Sequence, residues 1–269
     1  MAVLMHMSTS ELSTVGILGA GKLGLTLARL AADAGYRVLI HARPKPLLEL
    51  TVSTLVPAAT LVRFDDLITQ SDLLILAIPH GAIGEFDLSG VRGVIIDATN
   101  PWEATAADAE VTGTGATGTG ATGTGATGAG ATGSAIVPPA QAYPDLPVAR
   151  TLNHISYEEL SADAVPRSDS AGAACGFGAG SATAGSAAAG SGGAGSASAG
   201  RLRRAVAVWS NNPHALEVAS AFVDRIGFDP VPISEADTTL FNADGRLFGA
   251  WLSADEMREQ VRARNASPV

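Results

Sequence analysis

Apolar residues between Thr14 and Arg43 fall into three groups, and their spacing changes from one group to the next. Val15, Ile17 and Leu18 form a short run of the kind found in a parallel strand buried on both faces. Leu23, Leu25, Leu27, Ala28, Leu30 and Ala31 then recur so as to give a helix one apolar side. Gly35 stands where a helix C-cap needs a residue free to adopt positive φ, and Arg37 to Ile40 returns as a second apolar run. The segment predicts a strand, a glycine turn, a helix and a second strand.

Two further short apolar runs, Asp72 to Ile78 and Gly93 to Ala98, predict buried strands, with weaker helical stretches around Lys45 to Thr51 and Asp65 to Thr69. A fifth strand is expected at Val148 to Leu152 and a sixth at Ala205 to Trp209. Strands alternating with helices imply a parallel sheet. After the sixth strand, Asn212 is a suitable N-cap and Pro213 fits the first helical position, where its missing N–H would be unpaired anyway. That helix continues from Ala215 to Ile226, and Gly227 stops it. Ser253 followed by Glu256 matches a capping box, so a last helix is expected from Ala254 to about Arg264, with residues 265–269 frayed.

Two tracts interrupt the pattern. Residues 112–133 repeat Thr-Gly-Thr-Gly-Ala without the every-third glycine of collagen, and residues 171–200 are Gly, Ala and Ser with little else. Such stretches lack the apolar bulk to offset their ordering entropy and read as insertions in surface loops. The expected organisation is a disordered leader at 1–13, a nucleotide-binding domain at 14–111, and the two insertions at 112–133 and 171–200. Between the insertions, 134–170 continues the core with strand five, and 201–269 forms its C-terminal part.

The first turn carries the candidate chemistry. Gly19, Gly21 and Gly24 match G-x-G-x-x-G directly after a strand and at the start of a helix. Gly19 would make the tight turn, Gly21 would let backbone approach a pyrophosphate, and Gly24 would let helix and strand lie close. The helix beginning near Lys22 then points its unpaired N–H groups at the phosphates. Where sites that prefer NAD place an acid after strand two, this chain has His41, Ala42 and Arg43, followed by Lys45. A guanidinium can pair with a 2′-phosphate that a carboxylate would repel, so NADP(H) is favoured over NAD(H). A solvated loop charge is the other reading of Arg43. The expected fold class is α/β: a Rossmann-type doubly wound parallel sheet with a small C-terminal α/β extension.

Charge and composition narrow the alternatives. The formal charge is −9, and no Lys/Arg stripe could neutralise a row of phosphates, so nucleic acid is not an expected partner. The single cysteine, Cys175, cannot form an internal disulfide, and Met1 to Thr14 shows no secretion-signal pattern. Apolar runs fall far short of the roughly 20 residues needed to cross a bilayer. The expectation is a cytoplasmic protein without a membrane partner. His6, His41, His80, His154 and His214 are scattered, and neither HExxH nor paired CxxC occurs, so no metal is expected. A G-x-S-x-G elbow is missing too. Trp102, Trp209 and Trp251 are expected as core or interface anchors, with Trp102 the best placed to border the cleft.

Taken in order, five motifs resemble those of the NADPH:coenzyme F-420 oxidoreductases. They are the glycine turn, His-Ala-Arg at His41 to Arg43, Ala-Ile-Pro-His-Gly-Ala-Ile at Ala77 to Ile83, Asp-Ala-Thr-Asn-Pro at Asp97 to Pro101, and Thr-Leu-Asn-His-Ile at Thr151 to Ile155. The segment Gly227 to Val231 adds to the likeness, which runs from about Thr14 to Phe248 apart from the two tracts. By that resemblance the cofactor grip falls on Gly19, Ala20, Lys22, Leu23 and Arg43. Ile78, Pro79 and His80 come near the nicotinamide, and Asn100 follows strand four. The family often has Ser or Thr where this chain has Ala42, and His41 is a candidate replacement for the lost hydrogen bond. The deazaflavin of coenzyme F-420 would lie near Asn153, His154 and Ile155, with Asn153 and His154 as candidate catalytic groups.

Direct hydride transfer needs two ring carbons held roughly 3 to 3.5 Å apart, so positioning is most of the catalysis. Asn153 and His154 could bond a ring carbonyl, His154 in either protonation state; a capping or packing role for His154 is the competing reading. Three functions remain open on these grounds. The leading one passes hydride between NADPH and a deazaflavin or another small-molecule acceptor. The second keeps NADPH but reduces an imine, carbonyl or metal chelate, and the third is a non-catalytic NADP(H) sensor. A homodimer is the expected assembly.

Overall fold

The computed structural model describes residues 12–100, 143–165 and 202–266. The expectations for residues 1–11, both low-complexity tracts, Trp102, Cys175 and residues 267–269 lie outside them. Eight strands form one sheet in the order β3-β2-β1-β4-β5-β6-β7-β8. In chain order these are β1 Thr14–Leu18, β2 Arg37–His41, β3 Ala59–Leu61, β4 Leu73–Leu76, β5 Val94–Asp97, β6 Val148–Thr151, β7 Ala205–Trp209 and β8 Asp229–Pro232. The first six run parallel in the order 3-2-1-4-5-6, which is the Rossmann order, and the order reverses between β1 and β4.

Helices α1 Lys22–Asp33, α2 Leu48–Leu55, α3 Phe64–Gln70, α4 Tyr157–Asp163, α5 Pro213–Arg225 and α6 Ala254–Ala266 complete the fold. Because successive strand residues face opposite ways, the sheet feeds two apolar layers. Val15, Ile17, Val206 and Val208 pack with Leu27, Ala28 and Ala31 of α1 and with Phe222 of α5. Leu18, Leu74, Leu76 and Ile95 pack on the other side with Leu67 and Ile68 of α3 and with Ile83 and Leu88 of two short 3-10 turns. The sheet is thus covered on both faces.

The pattern reading needs four corrections. β3 was missed because it is only three half-exposed residues at the sheet edge. β8 was missed because its sequence is Asp-Pro-Val-Pro, and proline argues against a central strand; β8 escapes that objection by pairing only with β7. β7 runs antiparallel to β6, with Arg150 opposite Trp209, so the sheet is not parallel throughout. The unit β7-α5-β8 is parallel within itself and docks inverted on the six-stranded half, giving the C-terminal extension its own polarity. Trp251 is 47% exposed and anchors no core among the described residues.

Helix ends follow the local code. Asn212 caps α5 by accepting from the Ala215 amide at 3.1 Å, and Gly227 leaves the helix at φ +109°. Ser253 and Glu256 form their reciprocal bonds at the start of α6. A second capping box, Ser156 with Glu159, starts α4, a helix the periodicity did not reveal.

Arg204 ties the extension to the rest. Its side chain is fully buried at the start of β7, and its Nη1 lies 2.9 Å from both Glu159 and Asp163 of α4. Its Nη2 donates to the carbonyls of Gly249 and Ala250 at 3.0 and 3.1 Å. Removing one member of such a network leaves the others desolvated and uncompensated. Arg204→Ala should therefore cost about 3–5 kcal/mol of stability, whereas Arg258→Ala, which breaks an exposed pair with Asp255, should cost less than about 1 kcal/mol. Denaturant unfolding of the two variants checks the difference.

Candidate active site

The chain leaves β1 through Gly19 at φ +117°, a conformation L side chains avoid, and the Gly19 amide donates to the His41 carbonyl at 2.8 Å. A Cβ at Gly24 would stand 2.0 Å from the Gly19 carbonyl oxygen, so only glycine lets α1 come this close to the strand. Gly21 differs: a Cβ there would meet nothing within 4 Å, because its Cα faces the open cleft. Gly21 is also the N-cap of α1, and no side chain among the described residues caps the first amides of that helix. Those N–H groups remain available to an anion.

A cleft of about 520 Å³ begins at this turn and crosses the carboxyl ends of β1, β4, β5 and β6. Gly21, Lys22 and Leu23 form one end, with Ile78 and Pro79 after β4 and Thr99 and Asn100 after β5 along its length. The segment from Leu152 through Tyr157 and Glu159 makes the far wall, and Phe248 and Gly249 close it. This is where an open α/β sheet offers a crevice, at the point where strand order reverses.

Of the residues singled out from sequence, Gly21, Lys22, Leu23, Ile78, Pro79, Asn100 and Asn153 line this cleft. Gly19 and Gly24 shape the turn from behind, and Ala20 lines a neighbouring pocket of about 430 Å³ together with Lys22, Arg29 and Tyr157. Arg43 lies beyond the end of β2 with 65% of its side chain exposed and Glu85 as a loose partner at 4.0 Å. His41 Nδ1 donates to the Val62 carbonyl at 3.0 Å, and its ring meets Phe64 and Phe86 edge-on. With Nδ1 committed, His41 holds the end of β2 against the loop after β3.

Behind the cleft the polar groups satisfy one another. Thr99 Oγ1 donates to Asp97 Oδ1 at 2.7 Å and so receives the His80 Nδ1 hydrogen at 2.8 Å. Arg150 holds the other Asp97 oxygen at 3.0 Å. His80 is therefore a buried member of a chain running from β6 to the loop after β4, not a group on the cleft surface. Asn100 Nδ2 donates to the Asn153 carbonyl at 2.5 Å, while Asn153 Nδ2 donates to Asn100 Oδ1 at 3.3 Å and to the Phe241 carbonyl at 3.2 Å. Asn153 thus locks the loop after β6 to the loop after β5. Just before it, Leu152 takes φ +65°, a strained value for a non-glycine residue at the end of β6.

His154 does not do what the sequence reading asked of it. It is 1% exposed, does not line the cleft, and accepts the Ala207 amide at Nε2 from 3.3 Å with Phe241 against its ring. Burial first, then the charges of Arg204 and Arg150, opposed by Glu159, push it down to about 3. It stays neutral at ordinary pH and joins β7 to the loop after β6. This fits the packing role, the competing reading of His154; Asn-His-Ile by itself gives no sign of which of its side chains turns inward.

Tyr157, Ser156, Glu159 and Phe248 line the cleft and were not singled out. Ser156-x-x-Glu159, a capping box, was the available signal for this wall. Burial opposes the Glu159 charge, but the Ser156 amide, the Arg204 guanidinium and the Ser156 hydroxyl outweigh it and hold the carboxyl below its ordinary range. Lys22 Nζ donates to Tyr157 Oη at 3.0 Å, and that hydrogen bond is the main reason its ammonium titrates above its ordinary value. Among the described residues, no group of His, Cys, Asp and Glu is placed to hold a metal, and no helix is long and apolar enough to cross a membrane.

Strand order, glycine turn and cleft together define a Rossmann-type nucleotide-binding α/β protein. Residues 14–101 match the family described as NADP oxidoreductase, coenzyme F420-dependent. A hypothetical protein from Sinorhizobium meliloti shares the fold at a TM-score of 0.55 and 18% identity, over 91% of this chain and 97% of that one. A protein from Arthrobacter sp. FB24, named as a proposed F420-dependent NADP-reductase, aligns at 0.49 and 17% identity over 94% and 93%. A 1-pyrroline-5-carboxylate reductase from Streptococcus pyogenes aligns at 0.49 and 14% over 95% and 71%. No curated protein matches the chain in sequence.

The buried, neutral His154 makes stability depend on pH. Its folded value lies below its unfolded one, so below about pH 6.5 the unfolded chain binds the extra proton and stability falls as pH drops toward 3. The loss is up to about 1.4 kcal/mol per pH unit in that window. Denaturant unfolding between pH 7 and pH 5 should show a flatter dependence for His154→Gln than for the wild-type chain.

Proposed function

We propose that the protein is an NADPH-dependent oxidoreductase that passes hydride between NADP(H) and coenzyme F-420 or a small acceptor of similar shape. The observation that carries this is the turn at Gly21, where α1 presents uncapped amides and the missing side chain opens directly onto the cleft. A diphosphate fits there, since it needs backbone donors at contact distance and no Cβ in the way. Gly21, Lys22 and Leu23 would hold it, and Arg43 beyond β2 would meet a 2′-phosphate through its exposed guanidinium. The match of residues 14–101 to an NADP oxidoreductase family supports the same reading.

Bound nicotinamide would supply the hydride chemistry. The chain's own contribution is placement: Ile78 and Pro79 form an apolar edge after β4, and the Asn100–Asn153 clasp fixes the opposite edge. Ile78, Leu152, Ile155 and Phe248 give the cleft an apolar lining. His80, Thr99, Asp97 and Arg150 hold the strand ends beneath them in one arrangement.

Arg43→Ala should raise the Kd for NADPH about 10- to 100-fold, the worth of a charge-assisted phosphate contact, and leave the Kd for NADH within about two-fold. Fluorescence titration measures both, and equal losses would remove the phosphate assignment. Mixing wild-type protein with NADPH and oxidised F-420 should bleach the deazaflavin absorbance with turnover. Binding of NADPH without turnover would favour a sensor.

A further inference from the structure

We propose that Tyr157 is the proton donor of this site, a catalytic residue set beside Lys22, and that its substrates are acceptors whose reduction puts a proton on a ring nitrogen or carbonyl oxygen. The proposal rests on the hydride-transfer reading above. When an electrophilic C=X bond takes up a hydride at carbon, charge builds on X, and a group within hydrogen-bond reach must neutralise it.

The cleft offers few candidates among the described residues. Thr99 gives its hydrogen to Asp97, and the side-chain amides of Asn100 and Asn153 donate within their own clasp and to Phe241. Glu159 is held as a carboxylate by Ser156 and Arg204. His154 is walled off beside Ala207. Ser156 is paired with Glu159, and Lys22 gives a hydrogen to Tyr157. Tyr157 lines both the main cleft and the neighbouring pocket, and its hydrogen goes to Glu158 through an exposed bond that water can replace, unlike the buried Thr99–Asp97 bond.

Its surroundings suit the task. Lys22 Nζ donates to the phenol oxygen at 3.0 Å and stands 5.0 Å from the ring centroid, so one cation attends the phenolate that proton donation would leave. On the other side Tyr157 Oη donates to the exposed Glu158 carboxylate at 2.8 Å, which connects the phenol to bulk water. Of the remaining charges on the facing elements, Arg29 of α1 is turned to Ser161, and Glu159 is paired with Arg204. The capping box fixes the first turn of α4, and with it the Tyr157 backbone.

The step balances. The acceptor carbon gains the hydride supplied by NADPH as the π pair of C=X moves to X. The Tyr157 O–H bond breaks, its proton forms X–H, and the electron pair stays on the phenolate beside Lys22. Water restores the proton by way of Glu158. NADPH, oxidised acceptor and one proton thus give NADP⁺ and reduced acceptor, and in reverse the phenolate takes the proton back.

Purified wild-type and Tyr157→Phe chains, compared with NADPH and oxidised F-420 as probes, test this. The variant should bind NADPH within about two-fold of wild type by fluorescence, while kcat for F-420 reduction falls about 100-fold or more. The absorbance shift of F-420 in its ternary complex with NADP⁺, which reports a donor at the ring without turnover, should be lost as well. A variant with wild-type kcat and absorbance shift overturns the Tyr157 assignment and leaves the NADPH reading standing. A wild-type chain that binds no NADPH, or binds it and reduces neither F-420 nor a panel of ketones and cyclic imines, overturns both.

Discussion

The close approach of α1 to β1 constrains everything downstream of it. With Gly24 resting against the Gly19 carbonyl, the helix axis is drawn toward the strand, and its uncapped first turn is delivered to the sheet's carboxyl edge. A larger residue at Gly24 would push the helix away by more than neighbouring backbone can absorb, at an overpacking cost of about 1–3 kcal/mol. Since β1 sits where strand order reverses, the loops after β4, β5 and β6 can converge on that same turn from one side. The cleft is a consequence of this placement.

The polar groups under the cleft sort into those that build it and those left to act. His80, Thr99, Asp97 and Arg150 form a continuous buried chain, and Asn100, Asn153 and Phe241 form another. Buried groups satisfied in this way make a floor with a single arrangement, because releasing one member costs about 1–3 kcal/mol of unmet desolvation. Groups tied so firmly are poor proton carriers. The proposed proton transfer is placed on the rim instead, where Lys22, Tyr157 and Glu158 are linked by exposed hydrogen bonds.

What the sequence disclosed and what it hid divide along physical lines. β1, α1, β2 and the helix starts at Asn212 and Ser253 were legible, because strand periodicity, glycine spacing and capping chemistry are local. Contacts across the fold were not. Nothing in the text of the chain says that β7 runs antiparallel to β6, that Pro230 and Pro232 lie on an edge strand, or that His154 turns inward while Asn153 reaches the cleft. Tyr157 escaped notice for a similar reason: its partner Lys22 is distant in sequence, and only the meeting of α1 with α4 makes the pair.

The inverted extension accounts for the closed end of the cleft. Because β7 enters opposite in direction to β6, Arg204 lies at its start, near α4, with the segment around Gly249 beside it. One buried guanidinium then holds two carboxylates of α4 and two carbonyls of the closing segment at once. The same helix carries Tyr157 at its first residue, and the same segment carries Phe248 over the cleft. A bidentate, planar cation suits this junction where a lysine would not, since several acceptors from different elements must be met by one rigid group. The extension therefore fixes the far wall at a set distance from the Gly19–Gly24 turn, which is the quantity the proposed transfer between two bound rings depends on.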